Sequence, residues 1–131
     1  KSAGIFEDER ILDLSEFSDI NGLLMATDIL ITDYSSVIFD FSLLGRPVIF
    51  FCPDLEDYVA TRDFYYPFSD YTYGPVARSS AELNSAIRAT DPRDLDLAKF
   101  VEFFSGACDG QSTQRVVDEI ILPAASRPTS N

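Results

Sequence analysis

The sequence predicts an α/β protein: a Rossmann-like doubly wound parallel sheet with further helices at its C-terminal end. Three observations carry that expectation. Two short apolar runs, "DILIT" (28–32) and "PVIFF" (47–51), are uninterrupted, as strands buried on both faces are. Helix-patterned segments precede and separate them, the alternation that builds parallel sheets. The chain of 131 residues is about one domain long, and its 46% apolar and 24% charged residues suit an ordinary globular core.

Each element can be justified in order. Residues 1–9 are polar and read as a loop. "RILDLS" (10–15) alternates apolar and polar side chains, the pattern of a short strand. In "SDINGLLMAT" (18–27), Ser18 or Asp19 is placed to cap a helix whose Ile20, Leu23 and Leu24 fall at helical spacing. "DILIT" is the next strand. "SSVIFDFSLLG" (35–45) reads as a helix opened by serine and closed by Gly45 just past its end. "PVIFF" follows, with Pro47 in the first strand position, where a missing N–H is tolerated. Arg46, just before it, reads as a surface residue.

The second half is less regular. Residues 54–75 are rich in aromatic rings and broken by Pro67, Gly74 and Pro75, so they read as a long loop with room for one helical turn. Loops of that length in compact domains are usually functional or cover something. "SSAELNSAIRAT" (79–90) is a helix marked by a capping box from Ser79 to Glu82. Residues 92–106 and 110–122 read as two more helices. The Pro- and Ser-rich tail, 123–131, is expected to be disordered beyond a single domain spanning 1–122.

Composition excludes several chemistries. The net charge of −12 argues against nucleic acid, whose phosphates demand a basic face. The chain has no histidine, so neither a Ser-His-Asp nor a Cys-His nucleophile can be assembled from it, and a histidine-based zinc site is excluded. Two cysteines make no structural zinc site, and Cys52 and Cys108 read as buried, reduced thiols of a cytosolic protein. No metal or cofactor is expected. No apolar run approaches the 20 or so residues of a membrane span, and the first residues lack the apolar core of a signal peptide.

The stretch "TDYSS" (32–36) sits where chemistry belongs in such a fold. Ligands of open parallel sheets bind at the carboxyl ends of the strands, where loops run into helices. The hydroxyls of Ser35 and Ser36 can donate to an oxyanion there, with no lysine required. Asp40 lies one turn above Ser36 and could accept hydrogen bonds from a ribose diol. The plainer reading stands beside it: a serine caps the helix, Asp33 makes an Asx turn, and Asp40 is a solvated helix residue. Arg62 could pair with a phosphate or with its neighbours Asp63 and Glu56. The rings of Tyr58, Phe64, Tyr65, Tyr66, Phe68, Tyr71 and Tyr73 either cover the edge of the core or offer stacking surfaces.

The residues "DINGLLMATDILITDYSSVIFDFSLLGRPVIFFCPDLEDY" resemble the CDP-glycerol glycerophosphotransferase family, the teichoic-acid priming and polymerising enzymes. "RDFYYPF", "YGPVA" and "DGQSTQRVVDEI" are similar to later family segments in the same order, so the resemblance spans about residues 11–121. It implies the C-terminal half of a GT-B fold that holds a CDP-glycerol donor. It also implies that Ser35 and Ser36 bind donor phosphate, that Asp40 contacts the ribose or glycerol-phosphate region, and that Thr32 and Asp33 shape the turn. The family's catalytic histidines lie in segments before such a stretch, so the resemblance implies binding without turnover. CDP-ribitol, a nucleotide-sugar donor or a non-catalytic nucleotide-binding module are the alternatives. A lipid-linked acceptor and a cytoplasmic, peripheral membrane location would come through parts outside this stretch. Two departures touch the donor: Asp63 stands where the family usually has glycine, and Gln111 where it usually has lysine.

Overall fold

The computed structural model describes residues 10–62, 65–91 and 97–126. In chain order they form α1 (Ile20–Ala26), β1 (Leu30–Thr32), α2 (Val37–Ser42), β2 (Val48–Phe51), α3 (Leu55–Thr61), a 3-10 turn (Phe68–Tyr71), β3 (Val76–Ala77), α4 (Ser80–Ala89) and α5 (Leu97–Ser105). A last helical stretch runs through α6 (Ser112–Val116), a π-helical turn (Val117–Ile121) and α7 (Leu122–Ala125). The strands make a parallel sheet in the order β1-β2-β3. Leu30 pairs with Val48, Thr32 with Phe50, and Phe50 in turn with Val76. The expected α/β class with a parallel sheet is the one observed.

The core follows from strand periodicity. Val48, Phe50 and Cys52 share one side of the sheet and are buried against Ile38 and Phe41 of α2 and Leu97 and Phe100 of α5. Successive strand residues point to opposite faces. Ile49 therefore faces the other way; it is fully buried, and α4 packs on β2 and β3. Helices on both faces are what uninterrupted apolar strands require.

Local chemistry sets the element ends. Asp19, not Ser18, caps α1 by accepting the Gly22 N–H at 2.9 Å. Arg46 closes the other end of α1, donating to the carbonyl oxygens of Met25 at 2.7 Å and Thr27 at 2.8 Å. It is a structural clip, where the sequence suggested only a surface residue. Past the end of α2 the chain turns through Gly45 at φ +64°, a conformation that favours glycine. Ser79 caps α4 through the Glu82 N–H at 3.3 Å, while Glu82 reaches back to the Arg78 N–H at 2.6 Å, one residue before the expected partner.

Several expectations are corrected. Residues 10–15 form no strand: the Asp13 carboxylate takes both the Ser15 N–H (3.0 Å) and its hydroxyl (2.6 Å), a local turn that competes with pairing. The expected loop at 54–75 holds the two turns of α3, whose first turn carries Glu56 and Asp57, carboxylates favoured at a helix N-terminus. β3 was not foreseen because two residues behind a proline carry no periodicity. The last helix passes its expected end at 122 and reaches Ala125. Its π-helical turn ends at Ile121, two residues before Pro123, which lacks an N–H and would crowd the carbonyl of Glu119, four residues back, in a regular helix. The loop expected at 1–9, residues 92–96 of the helix expected over 92–106, Asp63, Phe64 and the tail at 127–131 lie outside the described residues.

Candidate donor site

β1 ends at Thr32, and the chain turns through residues 33–36 into α2. Tyr34 anchors that turn. Its ring stacks on Tyr58 of α3 with centroids 3.6 Å apart and meets Phe68 edge-on at 5.6 Å. Its hydroxyl donates to Asp54 Oδ1 at 3.0 Å. Burial, and then the bond to Asp54, push the phenol well above its ordinary range, so it stays a protonated donor. The Cys52 thiol beneath it is likewise pushed up by burial and is a packing group. Cys108, expected to be buried, is exposed.

The two serines divide the cap and ligand readings between them. Ser35 Oγ accepts the Val37 N–H at 3.3 Å, which leaves its hydroxyl hydrogen able to donate elsewhere. Ser36 occupies the N-cap position of α2 with no side-chain capping bond. Both serines, together with Asp33 and Tyr34, line a half-open cavity of about 160 Å³ walled by Phe39, Phe50, Phe68 and Tyr71. On the far side of Tyr34, Thr32, Asp33, Asp54 and Tyr58 line an open groove at the carboxyl ends of β1 and β2. Asp33 borders both.

Of the six residues expected at the site, the structure therefore gathers Asp33, Ser35 and Ser36 at the cavity and puts Thr32 in the adjoining groove. Asp40 is exposed on α2, one turn beyond Ser36, and lines neither. Arg62 lies over the Tyr58 ring, its guanidinium 5.8 Å from the centroid, extending the Tyr34–Tyr58 stack. Glu56, one of its expected partners, is paired with Arg78 instead. The aromatic segment is split in function: Tyr73 packs on Phe100 (4.5 Å) and Tyr71 on Phe104 (5.5 Å) as core cover, while Tyr65 is 99% exposed at the cavity mouth. Asp54 was missed as a site residue; its spacing of four from Tyr58 on α3 was the available signal. Among the described residues no His, Cys, Asp and Glu cluster could hold a metal ion.

Residues 4–122 match the family model described as CDP-Glycerol:Poly(glycerophosphate) glycerophosphotransferase. The chain belongs to that family. Within it, the teichoic acid poly(ribitol-phosphate) polymerase of Bacillus spizizenii is 43% identical over 119 residues, covering 91% of this chain and 19% of the relative. The teichoic acid poly(glycerol phosphate) polymerase of Bacillus subtilis is 40% identical over 113 residues, covering 82% of this chain and 15% of the relative. The solved wall teichoic acid polymerase TagF superposes with a TM-score of 0.71 at 27% identity, over 88% of this chain and 30% of that one. A variant of TagF has also been solved after soaking with CDPG. The chain thus spans less than a third of the length of these relatives of the family.

Proposed function

We propose that the chain is the donor-binding part of a transferase that moves glycerol phosphate from CDP-glycerol to a cell-wall or capsule polymer. The observation that carries the reading is the convergence of Asp33, Ser35 and Ser36 on one cavity at the carboxyl end of β1, in a member of this family. Ser35 and Ser36 donate to oxygens of the donor pyrophosphate, and Asp40 accepts from a diol one turn along α2. Arg62, mounted on Tyr58, supplies positive charge toward the phosphates.

In the transfer an acceptor hydroxyl attacks the phosphorus that bears glycerol. A new P–O bond forms, the P–O bond to CMP breaks, and the hydroxyl proton passes to a base. The chain contains no histidine, so a histidine base is not among its residues. Its own residues bind and orient the donor, and the lipid-linked acceptor and any membrane contact belong to other parts of the protein. A second reading, a CDP-ribitol donor, is favoured by the ribitol-phosphate polymerase of Bacillus spizizenii among the relatives.

Amide NMR spectra recorded while adding CDP-glycerol and then a UDP-sugar test the proposal. Shifts centred on Ser35, Ser36 and Asp40 with the cytidine ligand, lost in Ser36→Arg, are expected. Shifts with the UDP-sugar alone would reassign the chain to a glycosyltransferase. An unchanged spectrum with both ligands would leave the turn as a helix cap.

A further inference from the structure

The turn that carries Ser35 and Ser36 is tied to the next loop of the sheet through Tyr34. Ser35 Oγ accepts the Val37 N–H at 3.3 Å, and Ser36 makes no capping bond. Of residues 33–36, Tyr34 is the one whose side chain hydrogen-bonds another element among the described residues: its hydroxyl donates to Asp54 Oδ1 at 3.0 Å, across 20 positions of sequence. Asp54 follows β2 and occupies the N-cap position of α3, yet its side chain makes no capping bond. An aspartate there ordinarily accepts an N–H of the helix's first turn. Its carboxylate is committed instead to the phenol of the neighbouring turn. Asp54, Tyr58 and Arg62 recur every four residues, so the bond, the stacked ring and the guanidinium all come from one side of α3.

Resting on the donor-binding reading above, we propose that Asp54 is a positioning residue of the donor site: it acts through Tyr34, fixing the phenol so that the two serines that follow present their hydroxyls to the donor phosphates. Asp54 lines the open groove and not the cavity that holds the serines, so its effect on them passes through the tyrosine. Groups of a binding site must be held to within about 0.5 Å, and packing and hydrogen bonds behind them do this by locking rotamers. The Tyr58 stack fixes the plane of the Tyr34 ring, and the Asp54 bond fixes where its far end lies in that plane. Tyr34, Ser35 and Ser36 are consecutive, so a tilt of the ring is carried into the serine backbone. Electrostatics alone gives Asp54 the opposite effect, because a carboxylate near bound phosphates repels them. The two roles therefore differ in sign: removing Asp54 weakens donor binding if it positions and strengthens it if it only repels.

Calorimetric titration with CDP-glycerol of the wild-type protein and a set of variants tests this. Asp54→Ala and Tyr34→Phe should each weaken binding by about tenfold, the scale of a hydrogen bond to a charged group. The double variant should lose no more than either alone, because both remove the same bond. Asp54→Asn keeps an amide oxygen that can accept from the phenol, so it should bind within about threefold of wild type. Asp57→Ala removes a like charge from the first turn of α3 without touching the bond, and should leave the affinity unchanged. Tyr34→Phe retains the stacked ring and serves if Asp54→Ala does not fold. Tighter binding by Asp54→Ala, a loss that Asn does not restore, additive losses in the double variant, or affinities equal to wild type would overturn the inference while donor binding stands. Wild-type protein that binds no CDP-glycerol would overturn both.

Discussion

Asp109 and Arg115 show how a single exposed pair fixes the start of the last helical stretch. Arg115 donates to Asp109 at 2.8 Å and to the Ala107 carbonyl at 2.9 Å, and Asp109 also accepts the Gln111 N–H at 2.9 Å. The Arg115 bonds first, and the Gln111 N–H second, hold the Asp109 carboxyl below its ordinary value. A carboxylate whose folded value is lowered adds stability above its unfolded value of about 3.9, and that stability is lost as pH falls through the folded value. Asp109→Asn should therefore lower the melting temperature slightly at pH 7, and the gap should close as the pH drops below about 4. Thermal scans across that range check it; the effect is small because the pair is solvated. The same turn shows what the sequence made legible. Gly110 sits at φ +77°, while Gln111, which stands where the family usually has lysine, occupies the N-cap position of α6.

At the scale of elements, the legible parts were those with strong local signals. β1 and β2 were readable from continuous apolar runs, and α4 from its capping box, because each signal lies within a few residues. The stray strand at 10–15 shows the limit: its alternation was present, but Asp13 offered the backbone a nearer partner. β3 depends on contacts distant in sequence and left no pattern of its own. Its entry rests on Gly74, where a side chain would overlap the Val48 carbonyl oxygen. Gly74→Ala should push β3 off β2 and destabilise the fold by at least about 2 kcal/mol, as other backbone clashes do. Urea denaturation followed by circular dichroism measures that loss; an unchanged midpoint would mean that the two strands can separate without consequence. Of the candidate site, the two serines and Asp33 were visible in "TDYSS". The Tyr58 and Asp54 support was not, because it comes from the other side of β2.

Across the whole molecule, a net charge of −12 on 131 residues sets the solution behaviour. Like charges on a compact body repel one another, and salt screens that repulsion over a Debye length of about 10 Å at 0.1 M. Raising sodium chloride from about 0.01 M to 0.15 M should therefore stabilise the fold, measurably as a higher urea midpoint. A fall would point instead to dominance of pairs such as Arg78–Glu56 and Arg115–Asp109. The acidity also shapes how a donor is held. Asp33 and Asp54 both line the groove beside the candidate turn, so under the proposed function hydroxyl donors and a ring-mounted guanidinium would carry the anion in place of a basic patch. Among the described residues no helix is long and apolar enough to cross a membrane.

The Tyr34–Tyr58 stack has an optical consequence. The chain contains no tryptophan, so its near-ultraviolet absorption comes chiefly from six tyrosines. Two of them lie nearly parallel with centroids 3.6 Å apart, close enough for their transitions to couple. Of that coupled pair, Tyr34 lines both the ring-walled cavity and the open groove, and Tyr58 lines the groove. The protein therefore carries an intrinsic chromophore on the wall of its own candidate site, and occupancy on either side can be followed by light without attaching a label.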